Sequence, residues 1–276
     1  MTAAFLFPAD PLRPRAVDEH FAAQAAVVRA AGGRVALIDH HALLQGKTDA
    51  AVRRVPADLG PAWYRGWMIP SDRYADLATA GVDLLTTPAE YRRAHELPGW
   101  YADFAAVTPA SVWTSDLDTD LAGLVASLGG GPAIVKDFVK SRKEEWTEAC
   151  YVPDLADTAT LTRVVRTFVE RQADWLAGGI VVRKYEEWEH GEARVWWLDG
   201  VPILVGPHPD TPDLKPRPDL SGVPSGALPR FATTDLARRT DGAWRVVEVG
   251  DGQVSDLPTT VDPMTLIPAL MSFQLV

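Results

Sequence analysis

The segment 231–253, FATTDLARRTDGAWRVVEVGDGQ, constrains the fold more than any other part of the chain. Apolar and polar residues alternate over 231–237 and again over 244–249, and the polar turn between them ends in Asp-Gly, which predicts a β-hairpin. Asp235 and Glu248 fall inside these apolar strands, where an unpaired carboxylate is costly, and a hairpin can bring both to one face. Two carboxylates on a rigid sheet suit Mg²⁺; the alternative is a hairpin with two solvated acids on its outer face.

Composition narrows the class of protein. The 276 residues, 47% hydrophobic and 23% charged, are ordinary for a globular protein of one large domain or two smaller ones. The net charge of −10 argues against broad binding to nucleic acids or membrane surfaces. The chain has no run of about 18 apolar residues, so we expect no membrane span.

Two further features predict a cytoplasmic location. The N-terminal stretch MTAAFLFPADPLRPR lacks the charged start and long apolar core of a signal peptide. The single cysteine, Cys150, excludes an internal disulfide framework and a cysteine-rich zinc site. No activating basic residue is evident next to Cys150, which favours a core residue over a nucleophile.

The first third of the chain alternates between strand and helix patterns. Residues 3–7 and 34–38 are apolar runs, and residues 17–31 between them have apolar residues at helical spacing, which predicts a β-α-β unit with parallel strands. A helix over 71–80, a strand over 82–85 and a capped helix after Thr87 follow. This pattern indicates a small Rossmann-like domain without the Gly-x-Gly-x-x-Gly motif of dinucleotide sites.

A second interpretation of this region starts from Asp39, His40 and His41. The triplet is similar to the motif of DHH phosphoesterases, which bind manganese. The further Asp and His motifs of that family are not evident, so a strand end that enters a polar loop is the better interpretation.

The middle of the chain predicts a strand with a buried cation and a basic turn. Residues 133–139, AIVKDFV, form the strand pattern with Lys136 at its centre; a lysine alone in a strand is usually an edge guard. The turn 140–143, KSRK, either binds phosphate or an acidic acceptor through its cations or is simply solvated beside two glutamates. A long amphipathic helix over 157–176 then leads to a strand over 180–185, and GEARV at 191–195 opens the next strand.

The order and spacing of these segments resemble the ATP-grasp superfamily, which includes D-alanine–D-alanine ligase and glutathione synthetase. A strand Asp, an Asp-Gly turn and a hydrophobic strand ending in Glu are similar to its metal-binding hairpin, and a strand lysine is similar to its phosphate-binding lysine. The VKDxxKS-type segment that includes Lys136 resembles a little-characterised bacterial and phage branch of predicted amide-bond ligases. The resemblance covers about residues 108–262.

The resemblance implies an α/β fold with two domains. A small Rossmann-like pre-ATP-grasp domain would span 1–107, and an α+β ATP-grasp domain of two subdomains would span 108–276. ATP and Mg²⁺ would bind to the second domain.

Particular residues inherit roles from the resemblance. Asp235 and Glu248 would bind Mg²⁺; Gly250 replaces the usual third ligand, an asparagine, so Asp251 or Gln253 would take its place. Arg194 would lie near the transferred phosphate, and Lys140 would act with it in catalysis. The residues implied for nucleotide binding are Lys136, Lys140, Arg183, Lys184, Glu187, Trp188 and Glu192.

The implied function is an ATP-dependent ligase that joins a carboxylate to an amine through an acylphosphate. Its substrates would be small molecules such as an amino acid or a peptide. Residues 207–229, with seven prolines, predict an acceptor-side lid or wall, and residues 263–275 predict a short packing helix. The alternative is a degenerate member that binds nucleotide or a partner without turnover, since the asparagine and a glycine-rich phosphate loop are missing.

Overall fold

The computed structural model describes residues 3–272, which contain three β-sheets with short helices packed around them. The strands are β1 (Ala4–Pro8), β2 (Val35–Ile38), β3 (Ala62–Tyr64), β4 (Ser111–Thr114), β5 (Ala133–Asp137), β6 (Tyr151–Val152), β7 (Ile180–Lys184), β8 (Trp188–Leu198), β9 (Val201–Pro207), β10 (Phe231–Arg239) and β11 (Trp244–Asp251). The α-helices are α1 (Ala22–Ala30), α2 (His40–Leu44), α3 (Thr48–Val52), α4 (Ser71–Thr79), α5 (Pro88–His95), α6 (Leu97–Phe104), α7 (Leu121–Val125), α8 (Trp146–Ala149), α9 (Thr158–Gln172) and α10 (Ile267–Met271).

The first sheet contains three parallel strands in the order β2-β1-β3, and it confirms the predicted β-α-β unit. Every residue of β1 is buried, because alternate side chains enter two apolar clusters on opposite sides of the sheet. The strand predicted over 82–85 is wrong. The chain turns at Gly81, with φ of +86°, and enters the capping box of α5 at Thr87, which leaves room for only one bridge, between Leu84 and Ala62.

The second sheet is antiparallel, with strand order β4-β7-β5-β6. Helix α9 covers one face through its apolar stripe, which packs on β5 and β7. The helix ends at Gln172, before the predicted end, because Ala173 adopts a left-handed conformation with φ of +46°.

The third sheet is antiparallel, with order β11-β10-β8-β9, and it contains the predicted hairpin. Asp235 on β10 lies directly opposite Glu248 on β11 and opposite Arg194 on β8. Because directly paired residues share a face of the sheet, these three side chains project from the same side. A β-bulge follows Asp235 and shifts the register of the hairpin toward its turn.

Two predicted segments outside the sheets can also be compared. The proline-rich segment 207–229 contains only a single turn of 3₁₀-helix, Ser225–Ala227, as its composition predicts. The predicted helix 263–275 is a 3₁₀ turn, Pro263–Thr265, followed by α10, which packs on the first sheet; its last residues, from 273 onward, lie outside the described part. Among residues 3–272, no helix combines the length and apolar character needed to span a membrane.

Candidate functional site

Asp235 and Arg194 form a closely matched ion pair on the third sheet. The Nε and Nη2 groups of Arg194 donate to the two carboxylate oxygens of Asp235, each at 2.7 Å. The side chains are only 12% and 6% exposed. Burial alone would lower the pKa of Arg194, but the carboxylate of Asp235 outweighs it and the net shift is upward. This two-pronged geometry fixes both side chains and balances the charge of Asp235 within the protein.

Glu192 and His208 complete a cluster around Asp235. One ligand atom from each of the three residues lies within 4.8 Å of the other two. Burial, reinforced by Asp235 and Glu248, raises the pKa of Glu192 to about 7. The sequence alone does not reveal His208, since it follows β9 in the proline-rich segment with no motif around it.

The hydrogen bonds of His208 define where its ring proton lies. The backbone N–H of Asp210 donates to Nδ1, so the proton is on Nε2, which is 3.7 Å from Oδ2 of Asp235. Burial lowers the pKa of His208 and outweighs the opposite effect of Asp235. In this tautomer His208 presents a donor to Asp235 rather than a free metal ligand. The oxygen donors of Asp235, Glu192 and Glu248 are therefore the atoms that fit Mg²⁺.

Lys136 and Arg183 project from one face of the second sheet. Lys136 lies opposite Val181 and Arg183 opposite Ile134, which places both cations on the same side. They are 7% and 4% exposed. Burial lowers the pKa of Lys136 and brings that of Arg183 to about 10, while Glu248 acts in the opposite direction on both. Glu248 of the third sheet therefore lies near two buried cations of the second.

These two cations differ in their hydrogen bonds. Arg183 donates to Oγ1 of Thr108. Within residues 3–272, the ammonium group of Lys136 has no hydrogen-bond partner. A buried ammonium without a partner is costly, so Lys136 is the cation that gains most from an anionic ligand.

Asp137, which the sequence does not single out, holds the turn after β5. Its carboxylate is fully buried. Oδ1 accepts the backbone N–H groups of Val139 and Lys140, and Oδ2 accepts the Gln172 side chain and the Ala177 N–H. The turn is therefore tied both to itself and to the end of α9, and Lys140 is exposed at its tip.

The basic turn 140–143 is only partly available to a ligand. Arg142 pairs with Glu145, and Lys143 pairs with Asp210 at 2.9 Å. Lys140 forms no ion pair in the part of the chain that the structure describes. Lys140 is thus the cation of this turn that remains free for phosphate.

Two predicted ligands lie on the wrong faces of their sheets. Lys184 follows Arg183 and therefore projects from the opposite face, where its ammonium group donates to the backbone oxygen of Gly130. Asp251 lies opposite Ala232, on the face away from Asp235, and is fully buried. Strand alternation thus removes Lys184 from the phosphate cations and Asp251 from the metal ligands.

Gln253, the other candidate for the third metal ligand, is also committed elsewhere. It is fully buried, and its Oε1 accepts the backbone N–H of Tyr64. Its Nε2 donates to Tyr74 and to Asp251. Gln253 and Asp251 therefore join the third sheet to the first sheet and its helices.

Asp251 should limit stability at alkaline pH. Burial raises the pKa of Asp251 to about 7, and its Oδ2 has no hydrogen-bond partner among the described residues. A carboxyl with a higher pKa in the folded than in the unfolded state contributes stability at low pH and loses it as the pH rises through the folded value. Asp251→Asn should raise the free energy of unfolding by about 2 kcal/mol at pH 8 and by much less at pH 5.

Denaturant titrations at the two pH values measure this difference. Asp174→Asn, at an exposed position, serves as the control and should change neither value. An equal gain at both pH values for Asp251→Asn would show that charge is not the cause.

The predicted adenine hinge connects the second and third sheets. It runs from the end of β7 at Lys184 to the start of β8 at Trp188. Glu187 is exposed and Trp188 is half-buried. Glu186, in contrast, is committed to an ion pair with Arg245 at 3.0 Å. Glu187 and Trp188 are therefore the hinge side chains open to a ligand.

An aromatic group beside the hinge was not predicted. Trp146 stacks on Tyr151, with centroids 5.0 Å apart, and Tyr185 packs edge-on against both. Tyr151 lies opposite Ile134, which shares its face with Lys136. Trp146 is 38% exposed. A partly exposed aromatic surface on the same face as the buried cations suits a planar base.

A family match decides what kind of protein this is. The model of an ATP-grasp domain, the third family of its clade, matches residues 127–270, just over half of the chain. The chain belongs to the ATP-grasp superfamily. The matched range of this ATP-grasp protein contains both the buried cations and the carboxylate cluster. Members of the superfamily are ATP-dependent ligases. No curated protein matches the chain.

Solved structures share the fold of this ATP-grasp protein. D-cycloserine synthetase DcsG is 16% identical with a TM-score of 0.64, and the match covers 97% of this chain and 100% of DcsG. A RimK-domain ATP-grasp protein from Sphaerobacter thermophilus is 16% identical with a TM-score of 0.63, over 98% and 99% of the two chains. The ATP-grasp ligase PsnB, in complex with precursor peptide PsnA2 and AMPPNP, is 14% identical with a TM-score of 0.57, over 98% and 97%. These similarities confirm the predicted α+β ATP-grasp fold.

Proposed function

We propose that this ATP-grasp protein is an ATP-dependent ligase that joins a carboxylate to an amine through an acylphosphate. The observation that supports this most is the proximity of two charged surfaces. Lys136 and Arg183 are buried on the second sheet, and Glu248, beside Asp235 on the third, acts on the pKa of both cations. Phosphoryl transfer needs both kinds of group, cations for phosphate oxygens and carboxylates for the metal.

The nucleotide would lie along the face of the second sheet that carries Lys136. Lys136 contacts the phosphates, with Arg183 as the second cation and Lys140 at the tip of the turn. The base stacks on the aromatic group around Trp146, and the hinge residues Glu187 and Trp188 flank it. The roles rest on face, burial and charge: these residues combine one polar end and one aromatic end of a single surface.

The metal site would consist of Asp235, Glu248 and Glu192, with Glu192 in the place first assigned to Asp251. Mg²⁺ bound there supplies charge neutralisation for the phosphate oxygens. Arg194, which already holds Asp235, stabilises negative charge on the transferred phosphoryl group. We also retain the division into an acceptor-side domain over 1–107 and an ATP-grasp domain over 108–276.

Nucleotide binding without turnover is the second candidate. Gly250 at the position of the usual asparagine and the lack of a glycine-rich loop favour it. Glu192, an oxygen donor within 4.8 Å of Asp235, compensates for the missing asparagine and favours turnover.

A screen for acid-dependent ADP release separates the two candidates. The purified protein is incubated with ATP, Mg²⁺, hydroxylamine and single carboxylates from a panel of amino acids and short peptides. Hydroxylamine traps an acylphosphate as a hydroxamate. We expect one class of acid to give ADP and hydroxamate in equal amounts. Tight ATP binding with no ADP release from any acid would favour the non-catalytic candidate.

Lys140 should make ATP binding depend on salt. It is exposed and unpaired among the described residues, so its attraction to phosphate is screened as ionic strength rises. Lys140→Ala should weaken ATP binding about fivefold at low ionic strength and less at physiological ionic strength. Lys143→Ala should have a smaller effect, because Asp210 already balances that charge. Calorimetry at two salt concentrations measures both; an unchanged salt slope in Lys140→Ala would show that the turn is merely solvated.

A further inference from the structure

We propose that His20, paired with Asp256, is the general base that deprotonates the incoming amine. The inference rests on the proposed ligase function and adds a residue from the N-terminal part of the chain to it. Nε2 of His20 lies 2.7 Å from Oδ1 of Asp256, although the two residues are 236 positions apart in the chain. Their side chains are 33% and 45% exposed, so a ligand can reach the pair.

The pair is connected to the proposed phosphoryl-transfer site through Arg194. Nη1 of Arg194 donates to the backbone oxygen of Asp256 at 3.3 Å, while Nε and Nη2 of the same guanidinium hold Asp235. A single side chain thus contacts both the segment that carries the His20 partner and the proposed metal ligand. The amine side and the phosphate side of the reaction meet at Arg194.

A buried arginine braces the segment that carries Asp256. Arg65 is fully buried, and its Nη1 donates to the backbone oxygens of Gln253 and Ser255 at 2.8 Å each. The guanidinium lies 5.9 Å from the ring of Phe21, the neighbour of His20. Arg65 has no ion pair among residues 3–272, an expensive arrangement for a buried charge. Its contacts fix both halves of the pair, which accounts for that cost.

The surroundings of His20 suit an ammonium group. Its ring centroid lies 4.5 Å from that of Trp67, which is 38% exposed. Nε1 of Trp67 donates to Oδ2 of Asp18, which lies two residues before His20. Carboxylates from Asp18 and Asp256 therefore flank a partly exposed indole, and cations bind well to indole faces. The ligand class that these groups select is a primary amine that arrives as its ammonium form.

The pairing with Asp256 prepares His20 to accept a proton. Asp256 accepts the Nε2–H, which leaves the lone pair on Nδ1, and Nδ1 has no hydrogen-bond partner in the described part of the chain. The ammonium transfers one proton to Nδ1, and Asp256 stabilises the resulting imidazolium. The neutral amine then forms the C–N bond as the C–O bond to phosphate breaks. Phosphate leaves with that bonding pair and takes the second amine proton, and His20 later returns its proton to solvent.

The test compares two nucleophiles that differ in their need for a base. Hydroxylamine is mostly neutral near pH 7, whereas L-alanine, L-phenylalanine and n-butylamine are mostly ammonium ions. With the acid that gives most hydroxamate, His20→Asn should lower amide formation from these amines about 100-fold and change hydroxamate formation less than about threefold. Asp256→Asn should act in the same direction with a smaller effect. His41→Asn, whose ring bonds to Gln45 one helical turn away, is the matched control and should change neither rate.

The outcomes separate this inference from the proposed function. Equal losses of hydroxamate and amide in a folded His20→Asn protein would overturn the role of His20 as a base. A wild-type protein that forms no hydroxamate would overturn the ligase function and this inference with it. An independent readout uses ¹⁵N NMR of the histidine rings, assigned with the His20→Asn variant: neutral His20 should carry its proton on Nε2, and a proton on Nδ1 would contradict the proposal without any turnover.

Discussion

Glu248→Gln should lower the rate of ATP turnover about 1000-fold or more and leave the fold intact. Glu248 is half-buried and forms no hydrogen bond or ion pair among the described residues, so the substitution leaves no buried charge unmatched. It does remove a proposed metal ligand and the negative charge that lies near Lys136 and Arg183. ADP release in the presence of the active acid, together with the Tm of the variant, measures both effects.

Asp235→Asn provides a contrast on the same hairpin. It should lose turnover to a similar extent but also lower the free energy of unfolding by about 3 kcal/mol, because Arg194 would remain buried without its carboxylate. Asp241→Asn, at the exposed turn of the hairpin, should keep both turnover and stability. Full ADP production by a well-folded Glu248→Gln protein would refute the metal assignment.

Lys136→Met should raise the Kd for ATP about 100-fold and leave the Kd for adenosine unchanged. The ammonium group of Lys136 is buried without a hydrogen-bond partner in residues 3–272, and burial lowers its pKa. An apolar side chain of similar length should therefore stabilise the free protein while it removes the contact to phosphate. Calorimetry with both ligands and a thermal melt measure the three quantities.

Two further variants make the Lys136 result specific. Trp146→Ala should weaken ATP and adenosine equally, since the proposed contact is to the base that both share. Lys184→Met alters a lysine on the opposite face of the same sheet and should leave ATP affinity unchanged. Equal losses for ATP and adenosine in Lys136→Met would move Lys136 out of the phosphate site.

Local patterns in the sequence were sufficient for the hairpin and for the first β-α-β unit. Alternation and an Asp-Gly turn act over a few residues, so the opposition of Asp235 and Glu248 could be predicted before the structure was known. Alternation also implies that Arg183 and Lys184 face opposite sides. Which of them faces the helix-covered side depends on how α9 packs on the sheet, and no local pattern encodes that.

Other parts of the site depend on contacts between distant segments. His208 reaches Asp235 only because β9 pairs with β8, and no motif surrounds it. His20 meets Asp256 across almost the whole length of the chain. Asp251 was assigned to the metal from its closeness in sequence to Glu248, whereas the pleat of β11 turns it toward the first sheet. Side-chain direction, rather than spacing, decided each of these cases.

The four hydrogen bonds accepted by Asp137 have a consequence for how tightly a nucleotide can be held. A glycine-rich loop is mobile when empty, and it loses conformational entropy when it closes on phosphate, at roughly 1–2 kcal/mol for each residue that becomes fixed. Here the carboxylate of Asp137 already fixes the backbone of the turn before any ligand arrives. The ordering cost is met during folding, so this turn can bind phosphate with few contacts and release it quickly, since little rearrangement separates the free and bound forms.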